Sequence, residues 1–141
     1  ISDCLVGSEM CIRDRVFINA GHESILTFDQ NKNYEYIKSD MPPIGIVKYF
    51  TESMVKSNTI NLKDKTFVVY TDGVTEGYLK NGEELGAEGV QKIIDGMSEV
   101  TPKTIVESIE KELNWGAEKL RDDITCMAIN IANTELIKKA K

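Results

Sequence analysis

The hydrophobic and polar positions of this chain form short apolar runs typical of β-strands over its first half, and helical spacing appears later. Apolar and β-branched runs between polar or turn-forming residues predict strands at 16–19, 25–28, 34–37, 50–60, 66–71 and 124–131. The run at 66–71 is the clearest strand, because it is almost wholly apolar or β-branched and stops abruptly at Asp72-Gly73. The turn-prone residues after 16–19 predict that this strand and 25–28 form a hairpin.

Two helices are predicted between the last two strands. The first covers about 88–97, and the second begins at Thr101-Pro102, a capping residue before a proline at the first helical position. Ile105, Ile109 and Leu113 then fall on one face of that second helix. Strands, then helices, then a final strand indicate an α+β fold with an antiparallel sheet rather than alternating βαβ units.

Composition and charge exclude some classes of function. The chain is 41% hydrophobic and 28% charged, which is ordinary for a globular protein, and its net charge is −6. This charge argues against non-specific binding to nucleic acid or an anionic membrane, but clustered carboxylates still suit a hard cation. No apolar run is long enough to span a membrane, and no metal-type cysteine spacing occurs, so we expect a reduced, cytoplasmic setting.

Two carboxylate motifs stand at the ends of predicted buried strands. Asp72 follows the strand at 66–71, and the adjacent Asp122 and Asp123 precede the strand at 124–131. If the two strands are sheet neighbours, Asp72 and Asp122 meet at one edge, where oxygen-only ligands suit Mg²⁺ or Mn²⁺. Asp-Gly is also a common turn dipeptide, and paired aspartates before a strand are often solvated. Each motif taken singly is therefore more simply interpreted as a turn. Only the occurrence of both motifs, each at the end of a strong strand, suggests a site.

Four motifs in order carry a family resemblance. Asn19-Ala20-Gly21-His22, Pro43-Ile44-Gly45, Tyr70-Thr71-Asp72-Gly73-Val74-Thr75-Glu76 and Asp122-Asp123-Ile124-Thr125 resemble the NAGH, PLG, TDGVTE and DDxT signatures of one phosphatase group. That group is the stage II sporulation protein E branch of the PPM (type 2C) protein phosphatases, and the resemblance spans about 16–132. Glu23 and Ser24 depart from it, because they stand where this family often has prolines.

The resemblance implies an antiparallel β-sandwich flanked by helices, with a two-metal centre at one end. It implies that Asp72 and Asp122 are metal ligands, and that Asp123 is a weak ligand or orients the others. No catalytic side chain is assigned. Two Mn²⁺ or Mg²⁺ ions about 3.5–4 Å apart would activate a water for phosphomonoester hydrolysis without a covalent intermediate.

The ends of the chain carry separate expectations. Residues 1–15 lack strand or helix periodicity and resemble translated sequencing-adapter read-through, so we expect a non-native segment; a linker or edge strand is the alternative. Residues 16–132 are then the C-terminal part of a phosphatase domain, and 133–141 are a polar tail. The family's Gly-Asp-Gly-x-Gly-x-Gly motif, whose aspartate bridges both metals, is missing from this sequence. We therefore expect weak metal binding and little phosphatase activity from this chain alone.

Three functions follow from these expectations. The first is a protein-serine/threonine phosphatase domain acting on a phosphoprotein such as an anti-anti-sigma-type partner, with a sensory domain upstream. The second is a non-catalytic module that keeps the fold and binds a partner, and the third is an unrelated cation-binding β-sandwich. His22 is a candidate general acid, although a role in holding its turn by hydrogen bonds is the simpler interpretation.

Overall fold

The computed structural model describes residues 14–113 and 123–130, and its strands lie in two sheets. The two-stranded sheet pairs β1 (Asp14–Phe17) with β4 (Asn58–Asn61). The four-stranded sheet contains β2 (Ile25–Asp29), β3 (Tyr34–Ile37), β5 (Lys65–Tyr70) and β6 (Cys126–Asn130), in the order β3-β2-β5-β6. All neighbouring strands are antiparallel. The predicted α+β class with an antiparallel sheet is confirmed.

Helices cover one face of the four-stranded sheet. The single turn α1 (Asp72–Thr75) follows β5, and α2 (Gly86–Asp95) and α3 (Pro102–Leu113) come next. The predicted cap of α3 is present, because the Thr104 amide donates to Thr101 Oγ1 at 3.2 Å and the Thr101 amide donates to Thr104 Oγ1 at 2.9 Å. These two bonds satisfy amide groups that the helix itself leaves without acceptors.

The main core lies between this sheet and the helices. Its members are apolar side chains that alternate along the strands and recur every three or four residues along α2 and α3. They are Leu26, Phe28, Val68, Tyr70, Val74, Leu85, Val90, Ile94, Ile105, Ile109 and Leu113. Because α1 contributes Val74 to this core, the turn that carries Asp72 is packed onto the core.

The turn between β2 and β3 connects the sheet to α2. Asp29 Oδ1 accepts hydrogen bonds from the amides of Asn31, at 2.8 Å, and Asn33, at 3.0 Å. Lys32 adopts a left-handed conformation (φ 59°) there, and its ammonium group donates to the carbonyl oxygens of Ile94 and Asp95, both at 3.0 Å. A cation at these carbonyls stabilises the C-terminal end of α2.

The predicted hairpin between 16–19 and 25–28 is wrong. Strand β1 pairs with β4, and β2 pairs with β3 and β5. The intervening loop does not turn back on β1, since Ala20 forms a parallel bridge with Met41. Long-range contacts therefore override the local turn signal. Strand β1 also begins at Asp14, two residues before the predicted start.

The predicted strand at 50–60 is also largely wrong. A short 3₁₀ turn at Glu52–Met54 replaces its first part, and strand structure is confined to Asn58–Asn61. The Met54 amide donates to the Thr51 carbonyl at 3.0 Å, and the Thr51 and Ser53 hydroxyls lie 2.9 Å apart. Hydroxyl side chains that bond locally compete with the strand ladder in this way.

The second sheet lies over the other face of the four-stranded sheet. A cavity of about 400 Å³ between them is lined by Phe17 and Ile60 on one side and by Phe67, Val69 and Ile129 on the other. This arrangement agrees with the predicted β-sandwich flanked by helices. Of the helices in 14–113 and 123–130, none is long and apolar enough to cross a membrane.

The packing of α3 onto the sheet predicts a large effect of truncation at Ile109, which is 1% exposed. Ile109→Ala should lower the free energy of unfolding, measured by urea denaturation, by about 2–5 kcal/mol, because it opens a cavity in the core. The matched control is Ile46→Ala, since Ile46 is 74% exposed. That change should stay within about 0.5 kcal/mol. Equal losses in the two variants would contradict this assignment of the core.

Candidate functional site

Three of the four sequence motifs meet at one edge of the four-stranded sheet. Strand β5 ends at Tyr70, whereas its two antiparallel neighbours begin at Ile25 and Cys126. In an antiparallel sheet, the end of one strand lies beside the beginnings of its neighbours. The loops that contain Asn19-Ala20-Gly21-His22, Thr71-Asp72-Gly73 and Asp123-Ile124-Thr125 therefore come to the same edge.

Thr71 joins the second and third of these loops. Its amide donates to the Thr125 carbonyl at 3.0 Å, which extends the β5–β6 ladder by one step. Its hydroxyl accepts a hydrogen bond from the Thr125 amide at 3.1 Å and donates to the Asp123 carbonyl, also at 3.1 Å. One side chain thus fixes the main chain on both sides of Ile124. The sequence does not indicate this role of Thr71.

Asp72 opens the helical turn α1 at the exposed edge of the sheet. Its Oδ1 accepts a hydrogen bond from the Gly73 amide at 2.9 Å, and its carbonyl accepts one from the Glu76 amide at 2.7 Å. Gly73 and Val74 are buried, while the Asp72 side chain is exposed. The carboxylate is therefore held on a fixed turn and faces solvent, where it could bind a cation.

The second carboxylate motif is described only in part. Asp122 lies outside the described residues, and Asp123 is exposed with its carbonyl held by Thr71. Within 14–113 and 123–130, no group of three or more histidine, cysteine, aspartate or glutamate side chains is close enough to hold a metal ion. The sheet order confirms that β5 and β6 are neighbours. The metal roles of Asp72, Asp122 and Asp123 stay predictions.

Asn19 holds the loop that precedes β2. Its side chain is 3% exposed; Oδ1 accepts a hydrogen bond from the His22 amide at 3.0 Å, and Nδ2 donates to the Glu23 carbonyl at 3.2 Å. The imidazole of His22 is exposed, and its Nδ1 lies 3.4 Å from the Glu23 carbonyl oxygen. Bonds that the sequence suggested for the His22 side chain are thus made mainly by Asn19.

The same loop packs on the segment that carries Pro43 and Gly45. The Gly21 amide donates to Ser39 Oγ at 2.7 Å, and this hydroxyl lies 2.8 Å from both the Asn19 and the Met41 carbonyl oxygens, to either of which it can donate. Gly21 has a φ of +76°, and a β-carbon there would collide with the ring of Pro43. The first two motifs therefore form one structural unit, which the sequence shows only as two separate segments.

Two titratable groups, the Tyr70 hydroxyl and the Cys126 thiol, lie near this edge on the helical face of the sheet. Burial raises the pKa of Tyr70 to about 12 and the pKa of the free thiol of Cys126 to about 11. Both groups are therefore protonated at neutral pH. A protonated thiol is a poor nucleophile, so Cys126 is not suited to nucleophilic catalysis.

Comparison with known sequences supports the family resemblance. The sequence model of the stage II sporulation protein E (SpoIIE) family matches residues 5–132, most of the chain. The chain belongs to the SpoIIE family. No curated protein matches it significantly. The family match begins within residues 1–15, and the non-native origin of that segment stays a prediction, since residues 1–13 lie outside the described part.

Solved structures with the same fold include SpoIIE-type phosphatase domains. The SiaA-PP2C domain of Pseudomonas aeruginosa matches with a TM-score of 0.67 and 19% identity, over 86% of this chain and 48% of that one. The phosphatase domain of the cell fate determinant SpoIIE from Bacillus subtilis, presoaked with Mn, matches with a TM-score of 0.57 and 19% identity, over 85% of this chain and 56% of that one. The RsbU and RsbW domains of Rv1364c from Mycobacterium tuberculosis match with a TM-score of 0.55 and 20% identity, over 82% of this chain and 32% of that one. The fold of this SpoIIE-family chain is thus that of PPM phosphatases, and it spans about half the length of the first two structures.

The contact between Gly21 and Pro43 predicts different effects of alanine at two glycines. Gly21 and Gly82 have φ values of +76° and +84°, but a β-carbon at Gly82 would meet no atom within 4 Å. Gly82→Ala should lower the free energy of unfolding by about 1–2 kcal/mol, because alanine disfavours this conformation. Gly21→Ala should lose about 1–3 kcal/mol more from the collision. Equal losses in thermal or urea unfolding would show that this packing is wrong.

The hydrogen bonds of Thr71 predict a local and a global effect of removing its hydroxyl. Thr71→Val should lower the free energy of unfolding by about 1–3 kcal/mol, since the Thr125 amide and the Asp123 carbonyl lose a partner. Hydrogen exchange followed by NMR should show faster exchange of the Thr125 amide. Thr71→Ser keeps the hydroxyl and should preserve slow exchange there. Unchanged exchange in the valine variant would contradict the role given to Thr71.

Proposed function

We propose that this chain forms part of a metal-dependent serine/threonine protein phosphatase domain that hydrolyses phosphoserine or phosphothreonine on a signalling protein. The observation that carries the proposal is the joining of the Asp72 and Asp123 loops by Thr71 at one edge of the sheet. Membership of the SpoIIE family and the fold of PPM phosphatases support it. A phosphorylated anti-anti-sigma-type protein is the substrate we propose.

The donor set at this edge fits one side of a centre for Mn²⁺ or Mg²⁺. Asp72 and Asp123 are exposed residues at this edge. Carboxylate oxygens are the ligands that these hard cations prefer. Asp72 uses Oδ1 for the Gly73 amide, which orients the carboxylate and leaves Oδ2 for a cation. Asp122, adjacent to Asp123 in the sequence, is the further ligand that we propose.

The protein residues in this proposal position groups rather than react. Thr71 sets the separation of the two loops, and α1, anchored by buried Val74, holds Asp72 outward. Cations bound there would lower the pKa of a shared water and neutralise phosphoryl oxygens. No residue of the chain is proposed to form a covalent bond with the substrate. His22, exposed on the neighbouring loop, stays a candidate general acid.

A partner-binding role without catalysis is the alternative function. It is favoured by the exposed apolar side chains of the segment after Pro43, where Ile44, Ile46 and Tyr49 are 78%, 74% and 78% exposed. Exposed apolar patches of this kind often contact other proteins. Robust turnover of p-nitrophenyl phosphate with Mn²⁺ would exclude the non-catalytic role. We expect little turnover from this chain alone, because its sequence has no Gly-Asp-Gly-x-Gly-x-Gly motif.

Isothermal titration with Mn²⁺ tests the proposed site directly. Asp72→Asn should weaken Mn²⁺ binding by about tenfold or more, since loss of a residue that merely orients a ligand already costs about 10–100-fold. Asp64→Asn is the matched control: it removes the same charge in the turn before β5, at the opposite end of the strand from Asp72. This variant should bind Mn²⁺ like the unsubstituted chain. Equal affinity in the Asp72 variant would remove Asp72 from the site.

A further inference from the structure

A groove with no role in the proposed metal site opens beside it on the helical face of the sheet. It has a volume of about 580 Å³ and is lined by Ser24 before β2, Tyr36 on β3, Tyr70 on β5 and Gln91 on α2, among others. Tyr70 is the last residue of β5, directly before Thr71 and Asp72. The groove therefore lies next to the edge at which the three motifs meet.

The hydroxyl of Tyr70 is buried without a hydrogen-bond partner. Tyr70 is 2% exposed, and its hydroxyl has no partner among the described residues. The neighbouring tyrosines are different: Tyr36 donates to Gln91 Oε1 at 3.2 Å, and Tyr34 donates to Asp95 Oδ1 at 2.7 Å. A buried hydroxyl without a partner destabilises the protein, so an acceptor that reached Tyr70 would gain a favourable bond.

The charges around the groove are balanced. Glu23 and Glu88 line it together with Lys38 and Lys92. The ion pairs between described residues are Lys65–Glu35 and Lys103–Glu107, so neither groove lysine is paired with a described carboxylate. Balanced charge gives little attraction for a simple anion or cation. Hydroxyl and amide groups between opposite charges suit a polypeptide, whose main chain offers carbonyl acceptors and amide donors.

We infer that this groove holds the polypeptide segment adjoining the phosphorylated residue of a protein substrate, and that Tyr70 donates a hydrogen bond to a carbonyl of that segment. The inference rests on the proposed function and adds a substrate-binding surface to it. Because Tyr70 is covered, side chains of the groove must turn aside when the segment enters. Glu88 and Lys92 on α2 are exposed and can make such a movement within nanoseconds.

The test compares two tyrosine-to-phenylalanine variants. The probe is a synthetic peptide of about ten alanine and glycine residues with a central phosphoserine. In an extended chain each residue adds ~3.3 Å to its length. Its binding to the metal-free chain is followed by NMR titration of backbone amides, and unfolding is followed by heating. Tyr70→Phe should weaken peptide binding by about five-fold, the factor for one net hydrogen bond. The same change should raise the unfolding temperature, because it removes a buried hydroxyl without a partner.

The matched control is Tyr34→Phe, on the same face of the sheet but outside the groove. It should lower the unfolding temperature, since the bond to Asp95 is lost, and should leave the affinity for the peptide unchanged. Peptide-induced shifts should appear at Gln91 and Lys92. Equal affinity in the Tyr70 variant, or shifts confined to β1 and β4, would overturn the inference.

Further probes separate this inference from the proposed function. Phosphoserine alone, which lacks the adjoining segment, should cause no shifts at Gln91 and Lys92; shifts there would contradict the role given to the groove. If Asp72→Asn leaves Mn²⁺ binding unchanged while Tyr70→Phe still weakens peptide binding, the proposed metal site fails and the groove stands. If Asp72→Asn weakens Mn²⁺ binding but Tyr70→Phe leaves the affinity for the peptide unchanged, the inference about the groove is wrong and the proposed metal site is supported.

Discussion

The antiparallel pairing of β5 with β6 is the constraint on which the rest of the site depends. It places the end of one strand beside the beginning of the other, and Thr71 carries the pairing one step past the last ladder pair, Tyr70 and Cys126. Without that register, the Asp72 and Asp123 segments would have no fixed separation. Because carboxylates repel one another, a fixed separation has to be imposed by the main chain, and here hydrogen bonds to main-chain groups impose it.

The side chains that stabilise the fold and the residues of the candidate site lie in different places: the former on the packed helical face of the sheet, the latter in the loops at the strand ends. The face under α2 and α3 is closely packed, and α3 is capped by reciprocal bonds between Thr101 and Thr104. The candidate site residues Asp72, Asp123 and His22 are exposed at the edge. Loops at the ends of rigid strands can carry exposed polar groups in fixed positions, since the packed sheet below supplies the folding free energy.

Strong local patterns made part of this fold predictable from sequence. Strand β3 matches its predicted range of 34–37, and the Thr101-Pro102 start of α3 is confirmed, because β-branched or aromatic content and capping chemistry act within a few residues. Partners distant in the sequence were not predictable: β1 pairs with β4 through long-range contacts, and Thr71 bonds to a carbonyl 52 residues away. Order of motifs indicated the family, but only the sheet order shows that three of the motifs share an edge.

Three consecutive residues at the end of β5 have three different tasks, and strand geometry explains why they can. Side chains alternate between the faces of a sheet, so Tyr70 packs into the core and the groove while Thr71 points away from the helices and bonds the β6 loop. The chain then leaves the strand, and Asp72 starts a turn at the exposed edge. A slip of one residue would exchange these faces, placing the threonine against the helices and the tyrosine on the opposite face. The register that packs the core is therefore the same register that joins the loops and holds Asp72 outward, so packing of the core and geometry of the candidate site depend on the same strand pairing.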